Sequence, residues 1–426
     1  MGSAALRLVA MPPDGTVSVP AAAPLPRGPS LVTLDSARAL LTGSGCPVCW
    51  YAREASDRHL AWFALEAHAD AGTITRLCAS LGMCAVHTRR VTAQPGAGAR
   101  LTVVYRYVLT AGRDRLGRKA AKVAPCPACE HDDRAHSRAL ETLLEGLDDD
   151  AVRHQYRRGG GLCLPHLRAA MARASRELSG WLHDTALVAL ATSARSPDWM
   201  AGIDDDADTR AVLRRATRDD RGVGPPGCTA CLAAAQAEYL QLTRPLPYRV
   251  WPRPQLGLVL CRCHLNDMIP LVGRDAMASF LAWQASCLAA GAAADPGGPG
   301  LGHRPGRWPA RRRGGPPAGD CPVCFAGREA VLAALEDLRA NLLAAGHRQD
   351  LCLRHLLSLR AIDDQAGRSL AAGGIEFADS LLTELEAAIG KAAWARRGEP
   401  RGAEAMAWRR AAAFLDGAVY FGRMPR

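Results

Sequence analysis

Residues 46–49 read Cys-Pro-Val-Cys and residues 84–87 read Cys-Ala-Val-His, and this succession recurs three more times along the chain. The further copies are Cys126 and Cys129 with Cys163 and His166, Cys228 and Cys231 with Cys261 and His264, and Cys321 and Cys324 with Cys352 and His355. The step from each Cys-x-x-Cys pair to the next Cys-x-x-His pair is 28 to 35 residues. A lone Cys-x-x-Cys arises easily in a chain with 15 cysteines, but four ordered copies do not. Taken in chain order, each set offers three thiolates and one imidazole, a closed tetrahedral shell for zinc with no position left for water or substrate. The expectation is about four zinc ions per chain.

The local context repeats as well. Proline follows the first cysteine in three copies, where a tight turn can bring both sulfurs to one ion, and an apolar residue precedes the third cysteine in all four (Met83, Leu162, Leu260, Leu351). Disulfides are the competing use of such cysteines. The N-terminus lacks the charged, apolar and small-residue order of a secretory signal, and no apolar run is long enough to span a bilayer. The expected compartment is a reducing cytoplasm, where regularly spaced cysteines with histidines read as metal ligands. Ligation of iron–sulfur clusters by the same residues stays open on sequence alone.

Between the pairs the pattern is helical, giving an all-α expectation of four tandem helical modules, each organised around its own site. Trp62, Phe63 and Leu65 mark the expected apolar side of a first helix. Leu101, Val104, Tyr105, Val108 and Leu109 follow the spacing of one buried helix face. Leu140, Leu143, Leu144 and Leu147 precede Cys163, and Leu167, Met171, Leu178, Trp181 and Leu182 follow it. Leu332, Leu335, Leu338 and Leu342 form a stripe before Cys352. Phe377, Leu381, Leu385 and Ile389 form one after it, and a last helix is expected around Trp408 to Phe414. The resulting division is a disordered N-terminal segment over 1–43, modules over 44–115 and 120–195, a linker over 196–227, a third module over 228–290, a flexible Gly/Pro/Arg linker over 291–320, and a fourth module over 321–426. The third module departs from the plan. Threonine replaces proline after Cys228, prolines interrupt 244–254, and Cys263 between Cys261 and His264 offers an alternative ligand.

The Cys-Pro-Val-Cys turn, the helical spacer, Gly-Leu-Cys-Leu-Pro-His at 161–166 and the following helix resemble an uncharacterised bacterial family, a domain of unknown function with a CPxC and G(F/L)CxxH signature. The resemblance covers the modules and not the termini or linkers, and it implies only that the twelve cysteines and four histidines are ligands.

For function, the closed shells and repetition point to a zinc-binding helical scaffold that binds a macromolecule, with a protein as the expected partner and no membrane. No Walker A loop, dinucleotide-binding glycine fingerprint, HExxH or GxSxG is present, so the balance leans away from an enzyme while an unrecognised site stays open. A thiol-based redox protein is the second reading, resting on Cys78, Cys263 and Cys287; Cys78 and Cys287 sit in helical apolar patterns that suit core residues. Nucleic-acid binding is the third. It would draw on Arg311 to Arg313 near Trp308, on the basic stretch after His87 and on the basic residues from Arg153 to Arg158, but the net charge of +11 falls to about +7 once ligand thiolates and zinc are counted.

Overall fold

The computed structural model describes residues 29–193, 228–243, 321–342 and 351–416, apart from 44, 93, 95, 119–122, 160, 363 and 397. Both expected linkers lie outside the described residues, as do Cys261, Cys263, His264 and Cys287. Within the described residues the fold is all-α, without a strand.

The first stretch runs α1 (Leu31–Leu40), α2 (Pro47–Leu65), α3 (Ala71–Ser80), α4 (Ala85–Thr92) and α5 (Ala97–Gly117). It continues as α6 (Pro127–Gly146), α7 (Asp150–Arg158), α8 (Leu164–Met171) and α9 (Arg176–Ser193). The later stretches give α10 (Thr229–Thr243), α11 (Pro322–Leu342), α12 (Leu353–Ile362), α13 (Asp364–Ala392) and α14 (Ala407–Asp416).

Side-chain caps start several of these helices: Ser30, Asp70 and Asp149 each accept from the backbone N–H three residues on, at 3.1, 2.6 and 3.0 Å. α1 falls inside the segment that its small-residue composition assigns to disorder. Ala37 and Leu40 bury against α6 and α7, and this packing overrides the weak local signal. The first-helix expectation also needs correction. Of the three residues chosen only Phe63 is buried, whereas Trp62 and Leu65 are 45% and 57% exposed. The inward face of α2 is Val48, Ala52, Ser56, Leu60 and Phe63, mostly small residues, because α6 lies close against it.

α2 and α6 run antiparallel. His59 of α2 stacks on His131 near the start of α6, while His136, further along α6, reaches the ligand cluster at the start of α2. Two apolar cores result. One collects α1, the first turn of α2 and α6 to α9; the other joins the rest of α2, α3 to α5 and the later helices. The seam of the second core is α5 against α12 and α13, where Gly112 admits Leu353 of α12 and Gly374 of α13 admits Leu116. Arg113 pairs with Asp379 at 2.9 Å, Arg354 donates to the Ser80 carbonyl at 3.0 Å, and Arg360 donates to the Leu116 carbonyl. The stripe from Leu101 to Leu109 is buried throughout. Leu140, Leu143 and Leu147, Leu335 and Leu338, and Leu381 and Leu385 are buried in the others, whereas Phe377, expected on the last stripe, is 40% exposed. α14 packs on α5 and α13 as its apolar residues require.

Candidate metal centres

Among the described residues seven cysteines occupy equivalent places: Cys46, Cys84, Cys126, Cys163, Cys228, Cys321 and Cys352 each stand immediately before a helix. Each carbonyl accepts an i+4 backbone N–H, from Trp50, Thr88, Glu130, Leu167, Leu232, Phe325 and Leu356 at 2.8 to 3.1 Å. The x-x spacing then puts the second ligand in the first turn, on the same side as the first. Unpaired amides and the positive end of the helix dipole favour thiolate there. Upstream, Gly82 and Gly161 take positive φ (89° and 82°) two residues before Cys84 and Cys163, a turn that a Cβ would strain.

The ligands gather in a crossed order. Among the described residues three groups of four form, with all donor atoms of a group within 4.8 Å of one another: Cys46, Cys49, Cys163 and His166; Cys84, His87, Cys126 and Cys129; and Cys228, Cys231, Cys352 and His355. The grouping in chain order, with each Cys-x-x-Cys pair closing on the next Cys-x-x-His pair, is therefore not the one adopted. Helix lengths give the reason. α2 carries the chain about 28 Å away from Cys46 and α3 returns it only about 15 Å, so Cys84 and His87 emerge well short of their own partner pair. The antiparallel α6 begins at that point and supplies Cys126 and Cys129 instead. Cys321 and Cys324 are buried at the start of α11 and are not part of the group that holds Cys352 and His355.

In the first centre the Nδ1 of His166 lies 3.4, 3.3 and 3.1 Å from the sulfurs of Cys46, Cys49 and Cys163, and Cys49 and Cys163 are 3.7 Å apart. In the second, His87 Nδ1 lies 3.2, 3.8 and 3.5 Å from Cys84, Cys126 and Cys129, with Cys84 and Cys129 3.6 Å apart. In the third, His355 Nδ1 lies 3.1, 3.5 and 3.2 Å from Cys228, Cys231 and Cys352. A tetrahedral ion with thiolate and imidazole bonds of zinc length requires edges of about 3.8 Å between sulfurs and about 3.6 Å between sulfur and nitrogen. The donor sets fit a metal ion of that size. Four protein donors fill the shell, so the arrangement suits structure rather than activation of water.

The sulfurs of one centre compete for charge. In the second centre, hydrogen bonds with Cys129 and Cys84 hold Cys126 far below the ordinary thiol range, and those with Cys126 and Cys84 drive Cys129 far above it. In the third, Cys228 is lowered and Cys231 raised in the same way. Burial alone would lower His87, but hydrogen bonds to Asp132, Cys126 and Cys84 outweigh it and raise the imidazole to about 12. His355 likewise rises to about 10, against burial, through the charge on Cys352 and its bonds to Cys228 and Cys352. A bound cation would replace that proton as the partner of the sulfurs.

Two residues that the spacing of cysteines does not reveal complete the centres. With Nδ1 turned to the sulfurs, Nε2 of His87 donates to Asp132 Oδ2 at 2.9 Å and Nε2 of His166 donates to His136 Nδ1 at 3.0 Å. Both acceptors lie on α6, three and seven residues after Cys129. They share its helix face, which is the signal that would have found them. Cys78 packs at the edge of the core with its thiol raised by burial, as a core residue should. No helix among the described residues is long and apolar enough to cross a membrane. No family profile, curated protein or solved structure matches the chain.

Proposed function

We propose that the protein is a cytoplasmic, zinc-stabilised helical scaffold that presents an ordered surface to a protein partner. One observation carries this: each described centre joins a Cys-x-x-Cys pair to a Cys-x-x-His pair from a different repeat, so that the ion pins one helical repeat against another. In zinc-finger peptides such binding contributes about 10 to 16 kcal/mol, enough to decide whether a small helical unit folds. The same crossing assigns a fourth set, Cys321 and Cys324 with Cys261 and His264, and hence four zinc ions per chain. Cys261 and His264 enter on sequence spacing alone. Support on the described side comes from Glu238, seven residues after Cys231, whose carboxylate leans on Gly327, three residues after Cys324. Those are the offsets at which His136 and Asp132 serve the first two centres. Membership of the bacterial family with the CPxC signature is proposed on the same residues.

The nucleic-acid reading has less support. Arg153 and Arg157, from the basic stretch that suggested it, lie over the ring of Trp181 at 5.3 and 5.1 Å, and Arg153 also donates to the Leu147 carbonyl. Native mass spectrometry tests the metal claim: four zinc ions are expected, and fewer than three metals or iron–sulfur absorption would refute it. Capture of a partner by the metal-loaded chain and not by the metal-stripped one is expected; equal capture by both would remove the scaffold reading.

A further inference from the structure

The two centres that α2 and α6 share are unequal in access. At the first, Cys46, Cys49, Cys163 and His166 are all buried; at the second, Cys84 and Cys129 are half-buried and only Cys126 and His87 are enclosed. A ligand from solution that replaces a protein sulfur must approach the ion beside that sulfur, so exposure of two thiolates opens a route that the first centre lacks.

They differ also in what stands behind the histidine. At the second centre it is the Asp132 carboxylate, near the buried Ser56 of α2; at the first it is the imidazole of His136. The equivalent of Asp132 on α2, three residues after Cys49, is Ala52, and on α10, three residues after Cys231, it is Ala234. Neither side chain can accept a hydrogen bond. A carboxylate behind a ligating imidazole fixes its tautomer and raises its basicity, typically worth about ten- to a hundredfold in metal affinity. Asp132 therefore strengthens the centre whose sulfurs are easiest to reach. Its second oxygen, Oδ1, faces Nδ1 of the neighbouring His131 at 3.8 Å.

We propose that the centre of Cys84, His87, Cys126 and Cys129 is an exchange site, at which a thiol-bearing acceptor takes up or returns the metal, while the centre of Cys46, Cys49, Cys163 and His166 holds its ion permanently. The inference rests on the scaffold reading and adds a distinction between its ions. Exchange needs no oxidant: the acceptor's sulfur bonds to the metal as the bond to Cys84 or Cys129 breaks, and the acceptor's proton passes to the departing thiolate. Asp132 acts as a positioning residue, keeping His87 bound and oriented so that the shell recloses when the metal returns.

The test uses the full-length zinc-loaded chain, excess EDTA as the competing ligand, and isotope-coded alkylation read cysteine by cysteine. Labelling of Cys84, Cys126 and Cys129 is expected to be at least about tenfold faster than that of Cys46, Cys49 and Cys163; equal or reversed rates overturn the proposal. Asp132→Asn should speed labelling of the first three by about ten- to a hundredfold and leave the other three unchanged, with Asp132→Glu restoring the slow rate. No change in the first three, or a parallel rise in all six, overturns the role of Asp132. Zinc content before EDTA separates the two readings. If neither centre loads, the scaffold reading fails; if both load and then label alike, only the exchange site fails.

Discussion

Tyr156 is fully enclosed beside the first centre, and its hydroxyl oxygen accepts the backbone N–H of Leu162 at 3.1 Å, one residue before Cys163. Tyr156→Phe keeps the ring and leaves that N–H without a partner. A loss of about 1 to 3 kcal/mol is expected by urea unfolding, with zinc content retained. His59 contributes to the acid sensitivity of the α2–α6 seam. Burial, and then the neighbouring His131, push it down to about 4, so the folded chain holds it neutral while the unfolded chain protonates it near its ordinary value of 6.5. Its contribution is complete above pH 6.5 and is lost as the pH falls toward 4. His59→Gln should therefore flatten the fall of the urea midpoint over that window, and an unchanged profile would contradict the assignment. Ligand identity was legible at this scale because cysteines and histidines at short spacing have few other uses. Asp132 and His136 were not, because one aspartate and one histidine on a polar helix face resemble any solvated pair until a second helix is laid beside them.

At the scale of elements, close approach of helices decides the arrangement. A Cβ placed on Gly146, at the end of α6, would stand 2.3 Å from the Cβ of Ala37 on α1. Gly146→Ala should dislodge α1 at a cost of about 1 to 3 kcal/mol, visible as faster hydrogen exchange over 31–40. Helix existence, the buried stripes of α5 and α6, and the buried Leu381 and Leu385 of α13 could be read from apolar periodicity. The inward face of α2 could not, since Ala52 and Ser56 carry less apolar weight than Trp62 and Leu65, and only the nearness of α6 makes small residues the right ones. Ligand pairing escaped for a related reason: spacing along the chain reports which residues bind and says nothing about how far α3 returns. Mild oxidation of the folded, metal-loaded chain should join Cys49 to Cys163 and Cys84 to Cys129 as the metal leaves, since their sulfurs lie 3.7 and 3.6 Å apart. Peptide mapping that instead found Cys49 joined to Cys84 would contradict the crossing.

Across the whole molecule, the described repeats do not stand as independent beads. The second centre anchors the start of α6 and the start of α4, α4 leads into α5, and α5 packs on α12, α13 and α14. Cys126→Ser should therefore lower hydrogen-exchange protection in α4 and α5 and also in α13, which begins 238 residues downstream of Cys126 in sequence. Protection lost only between 85 and 146 would mean that the α5–α13 seam is weak.

The crossed pairing also sets an order in time. During synthesis Cys46 and Cys49 leave the ribosome long before their own partners, since His166 follows Cys49 by 117 residues. At about 5 to 20 residues per second, that wait is roughly 6 to 23 seconds. In the interval the first complete donor set to appear is the wrong one, Cys46 and Cys49 with Cys84 and His87. A nascent chain that captures an ion there must surrender it once α6 and α8 emerge, so ready metal for the newborn chain can slow its maturation rather than hasten it.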